Sequence, residues 1–327
     1  MSYYNKYPFF HGIMFHHLHD DKTYKDSQGS ISTENFYKII DLIGEKNILD
    51  ANEFLDRLKS NKLEKKNVCL TFDDSLKSQF VLGKKLLNSI KKKAFFFVYT
   101  SIFKDIKSNL ELYRHFRNNY FSSINEFYNL FFLLTEDILK ININKYIINK
   151  KLRIYGYTLN EWKKNFSYFS NDDIKFRITR DSILSKKKYD FIMRSLFKIK
   201  IFDFKNEEKK LFLSKSNIIE LKKSGHEIGL HSHSHPFLIS KLDYNKQMAE
   251  YSTNKKILEA ISKNSKIRSM SHPCGSYDKN TLKILEKLNI DIGFKQIMKP
   301  DNKKKINDSN LEIARHDSPA ILRMLKI

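Results

Sequence analysis

The chain is 327 residues long and 41% hydrophobic, with 26 Phe but only 9 Gly and 5 Pro; this is core material for one large α/β domain or two smaller ones, and it excludes long flexible linkers. The net charge of +23 invites a nucleic acid or an anionic surface. However, only 10 of the 60 basic residues are Arg, the Lys residues are scattered, and their runs at 91–93, 186–188 and 303–305 are short, so coding bias explains the charge as well as a ligand does and a nucleic-acid partner is set aside.

In chain order, residues 12–17 read as a buried strand ending in His16 and His17. Ser32 or Thr33 then caps a helical pattern through Phe36, Ile39, Ile40 and Ile43, and 51–58 reads as a second short helix. A strand at 68–72, an amphipathic helix at 76–90 and a strong strand at 93–100 follow. The alternation stops at 104. Residues 104–211 are aromatic, Lys- and Asn-rich, with helical spacing at Phe127, Leu130, Phe131 and Leu134, and read as a mostly helical insertion. The rhythm resumes with a helix at 216–223, a strand at 227–231, a helix at 244–262, a strand at 267–272, a helix at 279–288 and strands at 292–294 and 311–314. Alternating strands and helices predict parallel α/β architecture, a (β/α) barrel or an open sheet, divided as 1–103, 104–211 and 212–327.

In either architecture reactive groups belong at the carboxyl ends of strands. Asp73, Asp74, His231, His235, His272 and His316 all fall there. Two adjacent carboxylates closing a buried strand are costly to desolvate, and a metal ion is the simplest compensation. One Asp with two His makes an open, three-ligand hydrolytic metal site, leaving the other Asp free as a base. In His231-Ser232-His233-Ser234-His235, His231 and His233 share a strand face, whereas His231 and His235 meet if the chain turns before Pro236. The Asp pair also suits a helix N-cap ahead of residue 76. Cys69 and Cys274 cannot build a disulfide framework, residues 1–10 do not read as a signal peptide, and Phe131-Phe132-Leu133-Leu134 is too short to span a bilayer. A cytoplasmic protein with no membrane span is expected, with homo-oligomerisation left open.

Thr71-Phe72-Asp73-Asp74, then His231-Ser232-x-x-His235, then Pro273-Cys274-Gly275, in that order, resemble the polysaccharide deacetylases of the NodB-homology type, carbohydrate esterase family 4. The resemblance covers roughly 12–100 and 212–317 and is silent on 104–211. It implies a distorted (β/α) barrel and a divalent metal, Zn²⁺ first, held by Asp74, His231 and His235. It implies Asp73 as general base, the backbone N–H of Cys274 as oxyanion donor, and His316 as the acid that protonates the leaving amine. His16 is placed at the rim by resemblance to the family's first strand, with His272 and His233 as further contacts to substrate or ligands. Where the family carries an Arg that orients the base, this chain has Ser271; Arg315 is expected to replace it, ahead of Arg268. The implied activity is removal of an N-acetyl group from an amino sugar in a glycan or glycan precursor, in surface polysaccharide or lipopolysaccharide biosynthesis. The alternatives are an impaired carbohydrate-binding protein on the same fold, supported by Ser271 and the aromatic insertion, or a hydrolase of another non-peptide amide.

Overall fold

The computed structural model describes residues 3–20, 22–104, 109–152, 158, 160–161, 170–263, 265–296 and 306–325; the Lys run at 303–305 and stretches of 104–211 lie outside them. The chain divides into two compact units, Met1–Asn109 with Lys210–Ile327, and Leu110–Lys209.

The first unit is a closed, all-parallel barrel. Its strands are β1 (His11–Phe15), β2 (Val68–Phe72), β3 (Phe95–Val98), β4 (Glu227–Leu230), β5 (Ser269–Ser271), β6 (Ile292–Gln296) and β7 (Ile313–Asp317), in chain order, with β7 returning to pair with β1. Strands such as Val68-Cys69-Leu70-Thr71-Phe72 are apolar without alternation because both faces are buried. Period two still sorts them. Cys69, Phe95, Phe97, Ile292, Phe294 and Ile313 form one cluster, the barrel interior. Val68, Leu70, Phe72, Phe96, Val98, Ile228 and Leu230 join the helix residues Phe36, Ile39, Ile218, Tyr251, Leu258 and Ile284 in another, the layer between strands and helices. Each such fully buried side chain contributes roughly 1.5–3 kcal/mol. The rings of Phe95, Phe97 and Phe294, with centroids 5.2–5.9 Å apart, plug the barrel and leave its carboxyl end for chemistry.

The second unit is helical among its described residues, with helices Leu110–Asn119, Ile124–Leu139, Ile143–Asn149, Asn171–Ile178 and Lys186–Ile199. Ser123, Asn142, Ser170 and Ser185 start four of them, each side chain accepting a hydrogen bond from a first-turn amide. Phe176 meets Phe127 and Phe131 edge-to-face, and Phe121 links Phe127 to Phe116 by two more edge-to-face contacts, which gives this unit an aromatic core.

The helix expected over 76–90 is present from Lys77 to Ser89, with a π-helical stretch at Gln79–Gly83 between its α-helical parts. Asp74 and Ser75, with φ of 74° and 59°, form a left-handed turn ahead of it. The Asp pair thus lies before the residue that opens the helix, and the N-cap reading falls.

Candidate active site

The two carboxylates part ways at that turn. Asp73 continues β2, its N–H donating to Phe15 O at 3.1 Å, before the chain folds back through Asp74 and Ser75. Left-handed backbone at non-glycine residues costs roughly 1–2 kcal/mol each. Neighbours impose it here: Tyr99 N donates to Ser75 Oγ at 3.1 Å, and Gln79 Nε2 donates to the Asp73 and His16 carbonyls.

Asp74 meets the histidine loop. Its Oδ1 lies 3.3 Å from His231 Nε2 and 3.3 Å from His235 Nε2, all three residues buried, and their ligand atoms lie within 4.8 Å of one another. Donors around a tetrahedral ion with bonds of about 2.0–2.1 Å sit about 3.3 Å apart, so the trio fits a small divalent cation. The second nitrogen of His231, Nδ1, lies 3.0 Å from the Ser271 carbonyl, which orients Nε2 toward Asp74. Burial alone would raise the Asp74 pKa, but hydrogen bonds from His231 and His235 overcome it and hold the carboxyl well below its usual range.

Asp73 points down into the barrel. Arg315 Nη1 and Nη2 donate to Oδ1 and Oδ2, both at 2.7 Å, while Ser271 Oγ donates to Oδ2 at 3.0 Å and accepts from Arg315 Nη2 at 2.6 Å. Thr71 Oγ1 accepts from Nη1 at 3.1 Å. The fork-on-fork pair fixes both position and charge. Burial opposes the ionised form of Asp73, yet Arg315 first and His231 second keep its carboxyl below the ordinary value. Arg268 is engaged elsewhere, donating to Glu227 at 2.9 Å. The strand partner Gly12 makes room for the guanidinium's stem, since a Cβ there would lie 2.9 Å from Arg315 Cγ. Gly12→Val is therefore expected to cut turnover about 100-fold by displacing Arg315 and with it Asp73, a loss measurable as kcat on folded protein.

His16 stands at the mouth, Nε2 3.8 Å from Asp74 Oδ2 and Nδ1 3.8 Å from Asp317 Oδ1. Cys274 lies in the Pro273–Gly275 turn with φ of 52° and an exposed thiol; the next two amides, of Gly275 and Ser276, close that turn. His233 is not with the trio: its Nδ1 lies 2.9 Å from Thr100 Oγ1. His272 is buried, with Nε2 2.9 Å from Leu311 O and its ring stacked on Tyr277, so it braces the β6–β7 connection instead of facing substrate.

His316 corrects the sequence reading. Period two along β7 sends Arg315 into the barrel and its neighbour His316 out, against Tyr7 (centroids 3.9 Å), His11 (5.0 Å) and Phe9 (5.9 Å). Burial, aided by His11 and Lys6, pushes its pKa down to about 2, so the ring is neutral at pH 7 and has no proton to give. His11, whose Nε2 lies 2.6 Å from Tyr3 Oη, is likewise pushed down by burial, to about 4 against the pull of the Phe9 carbonyl. Between these values and about 6.5 the unfolded chain binds more protons than the folded one, so stability rises with pH. The protein is expected to lose on the order of 3 kcal/mol from His11 alone as pH falls from about 6.5 to 4. Urea melts should show a shallower pH slope for His316→Phe.

A family model described as polysaccharide deacetylase matches residues 188–293, which include the His231–His235 loop and the Pro273–Gly275 turn. Over that third of its length the chain is similar to polysaccharide deacetylases. Solved deacetylase structures share its fold. IcaB from Ammonifex degensii is 14% identical over 98% of both chains with a TM-score of 0.53. Streptococcus pyogenes deacetylase PplD in complex with acetate is 15% identical over 96% of both chains, TM-score 0.51. A de-N-acetylase from Aggregatibacter actinomycetemcomitans is 14% identical over 94% of this chain and 95% of the other, TM-score 0.50. No curated protein matches the chain.

Several residues of this site had no sequence motif to announce them. Gln79 braces the Asp73 turn, and Glu250 and Asn254 bond the histidine loop. A signal existed for Asn254: the helix Tyr244–Ile261 buries Gln247 and Asn254 beside Tyr251 and Leu258, and polar residues on a buried helix face need partners.

Proposed function

We propose that this chain is a divalent-metal-dependent hydrolase that removes the N-acetyl group from an amino sugar. The observation that carries the reading is the convergence of Asp74, His231 and His235 beside a buried Asp73 whose Oδ2 is 4.0 Å from His231 Nε2. Asp74, His231 and His235 would hold the ion, with Zn²⁺ the best match to a carboxylate and two imidazoles. Such an ion supplies Lewis acidity, activating water and polarising the acyl oxygen. Asp73, kept ionised by Arg315, takes the proton as water adds to the acetamide carbonyl. The Cys274 N–H donates to the developing oxyanion, a contact typically worth about 2.7–4 kcal/mol. His16, flanked by Asp317, passes a proton to the nitrogen as the C–N bond breaks, giving acetate and a free amine.

Of the two supports for the impaired-enzyme alternative, Ser271 and the aromatic insertion, the Arg315–Asp73 pair weighs against the first. The net charge of +23 favours an anionic substrate, such as a phosphate-bearing glycan precursor of surface polysaccharide or lipopolysaccharide handled in the cytoplasm. Acetate release from a panel of N-acetylated oligosaccharides, nucleotide-linked and lipid-linked N-acetyl sugars tests the reading. Release from at least one, faster with the anionic carriers, supports it; no release from any with metal supplied overturns it.

A further inference from the structure

The loop that carries the two imidazoles is held by one helix. Ser232 and His235 adopt φ of 60° and 51°, folding five residues tightly enough for His231 and His235 to converge. Such backbone persists only where its surroundings impose it. Here the helix Tyr244–Ile261 does so from two side chains one turn apart. Glu250 Oε2 accepts from the N–H groups of His233 at 2.9 Å and Ser234 at 2.6 Å, and its Oε1 accepts from Ser234 Oγ at 2.6 Å. Asn254 Oδ1 accepts from His231 N at 2.9 Å, while its Nδ2 donates to Val98 O at 2.9 Å and Thr100 Oγ1 at 3.2 Å. His233 completes the brace, its carbonyl accepting from Ser101 N at 2.8 Å and its Nδ1 2.9 Å from Thr100 Oγ1.

We propose that Glu250, assisted by Asn254, is a positioning residue for the metal centre: its carboxylate clamps the loop from behind so that His231 and His235 already converge on Asp74 without an ion. This rests on the reading of Asp74, His231 and His235 as metal ligands. The bonds to Glu250 are charge-assisted and run to consecutive loop amides, so a neutral replacement weakens all three together. His233 is then a strut whose side chain serves the loop's shape, not the ion.

The test is the Zn²⁺ and Co²⁺ affinity of wild type, Glu250→Gln and Asp74→Ala, measured by competition with a chromophoric chelator on chelator-stripped, folded protein. The visible spectrum of the Co²⁺ form reports ligand geometry. Glu250→Gln is expected to keep its fold while binding about 10–100-fold more weakly, with a changed Co²⁺ spectrum. If Glu250→Gln does not fold, Ser234→Ala, which removes only the Oε1 contact, carries the test with a smaller loss in the same direction. Wild-type affinity and spectrum in the folded variant, even with a lowered melting temperature, overturn the clamp. Metal binding in wild type that Asp74→Ala leaves unchanged overturns the metal-site reading itself and the clamp with it.

Discussion

Arg315→Ala is expected to destabilise the protein by about 3–5 kcal/mol at pH 7 and to lower turnover about 100-fold in whatever remains folded. Both effects come from one cause. Asp73 is about 2% exposed, and its two oxygens are bonded to the guanidinium at 2.7 Å each, so removing Arg315 strands a buried carboxylate. Burial then loses its main opponent, with His231 and His16 left to act against it, and the Asp73 pKa rises from the low position it holds in wild type. In wild type the pair's contribution is present above the unfolded carboxyl value near 4 and lost below it. In the variant, Asp73 takes up a proton and sheds its penalty as pH falls. The stability gap should therefore shrink toward pH 4, which urea melts at several pH values would show. Asp73→Asn combined with Arg315→Ala should be less destabilised than the sum of the single changes, because neither partner is left charged and alone. Arg315→Lys restores charge without the fork and should recover stability more than turnover. A pH-independent gap, or additive losses, would show that Arg315 is a packing residue only.

The second large effect separates two histidines. His16→Ala is expected to lower kcat by roughly 100- to 10,000-fold, the usual weight of a general acid, with metal content unchanged. His316→Phe is expected to leave kcat unchanged, since that ring lies outside the barrel among Tyr7, Phe9 and His11. Turnover measured at saturating substrate on metal-loaded protein distinguishes them. Loss of kcat in His316→Phe with full activity in His16→Ala would reverse the assignment.

These two residues also mark where the sequence was legible. The Asp73-Asp74 and His231–His235 groups stood out because polar clusters ended apolar runs, and in a parallel barrel all such ends share one rim. The choice of Arg315 over Arg268 to replace the motif Arg was readable too, because Arg315 sits beside the end of the last predicted strand, where the site residues gather. Choosing His316 as the acid overlooked the same periodicity: two consecutive strand residues face opposite sides, so Arg315 inside requires His316 outside. The left-handed turn after β2 was hidden because neither Asp74 nor Ser75 is a glycine that would announce it; tertiary hydrogen bonds impose it. Glu250 and Gln79 were hidden for a related reason: each acts on main-chain groups of a distant loop, and no spacing rule connects residues that meet only through the fold.

The most direct measurement is acetate released by chelator-stripped wild-type protein as Zn²⁺ is added back, run beside Asp74→Ala. The account predicts negligible release without metal, recovery that saturates at about one ion per chain, and a flat response for Asp74→Ala at every Zn²⁺ concentration. Full release after stripping, or a metal-dependent recovery that survives Asp74→Ala, would contradict it.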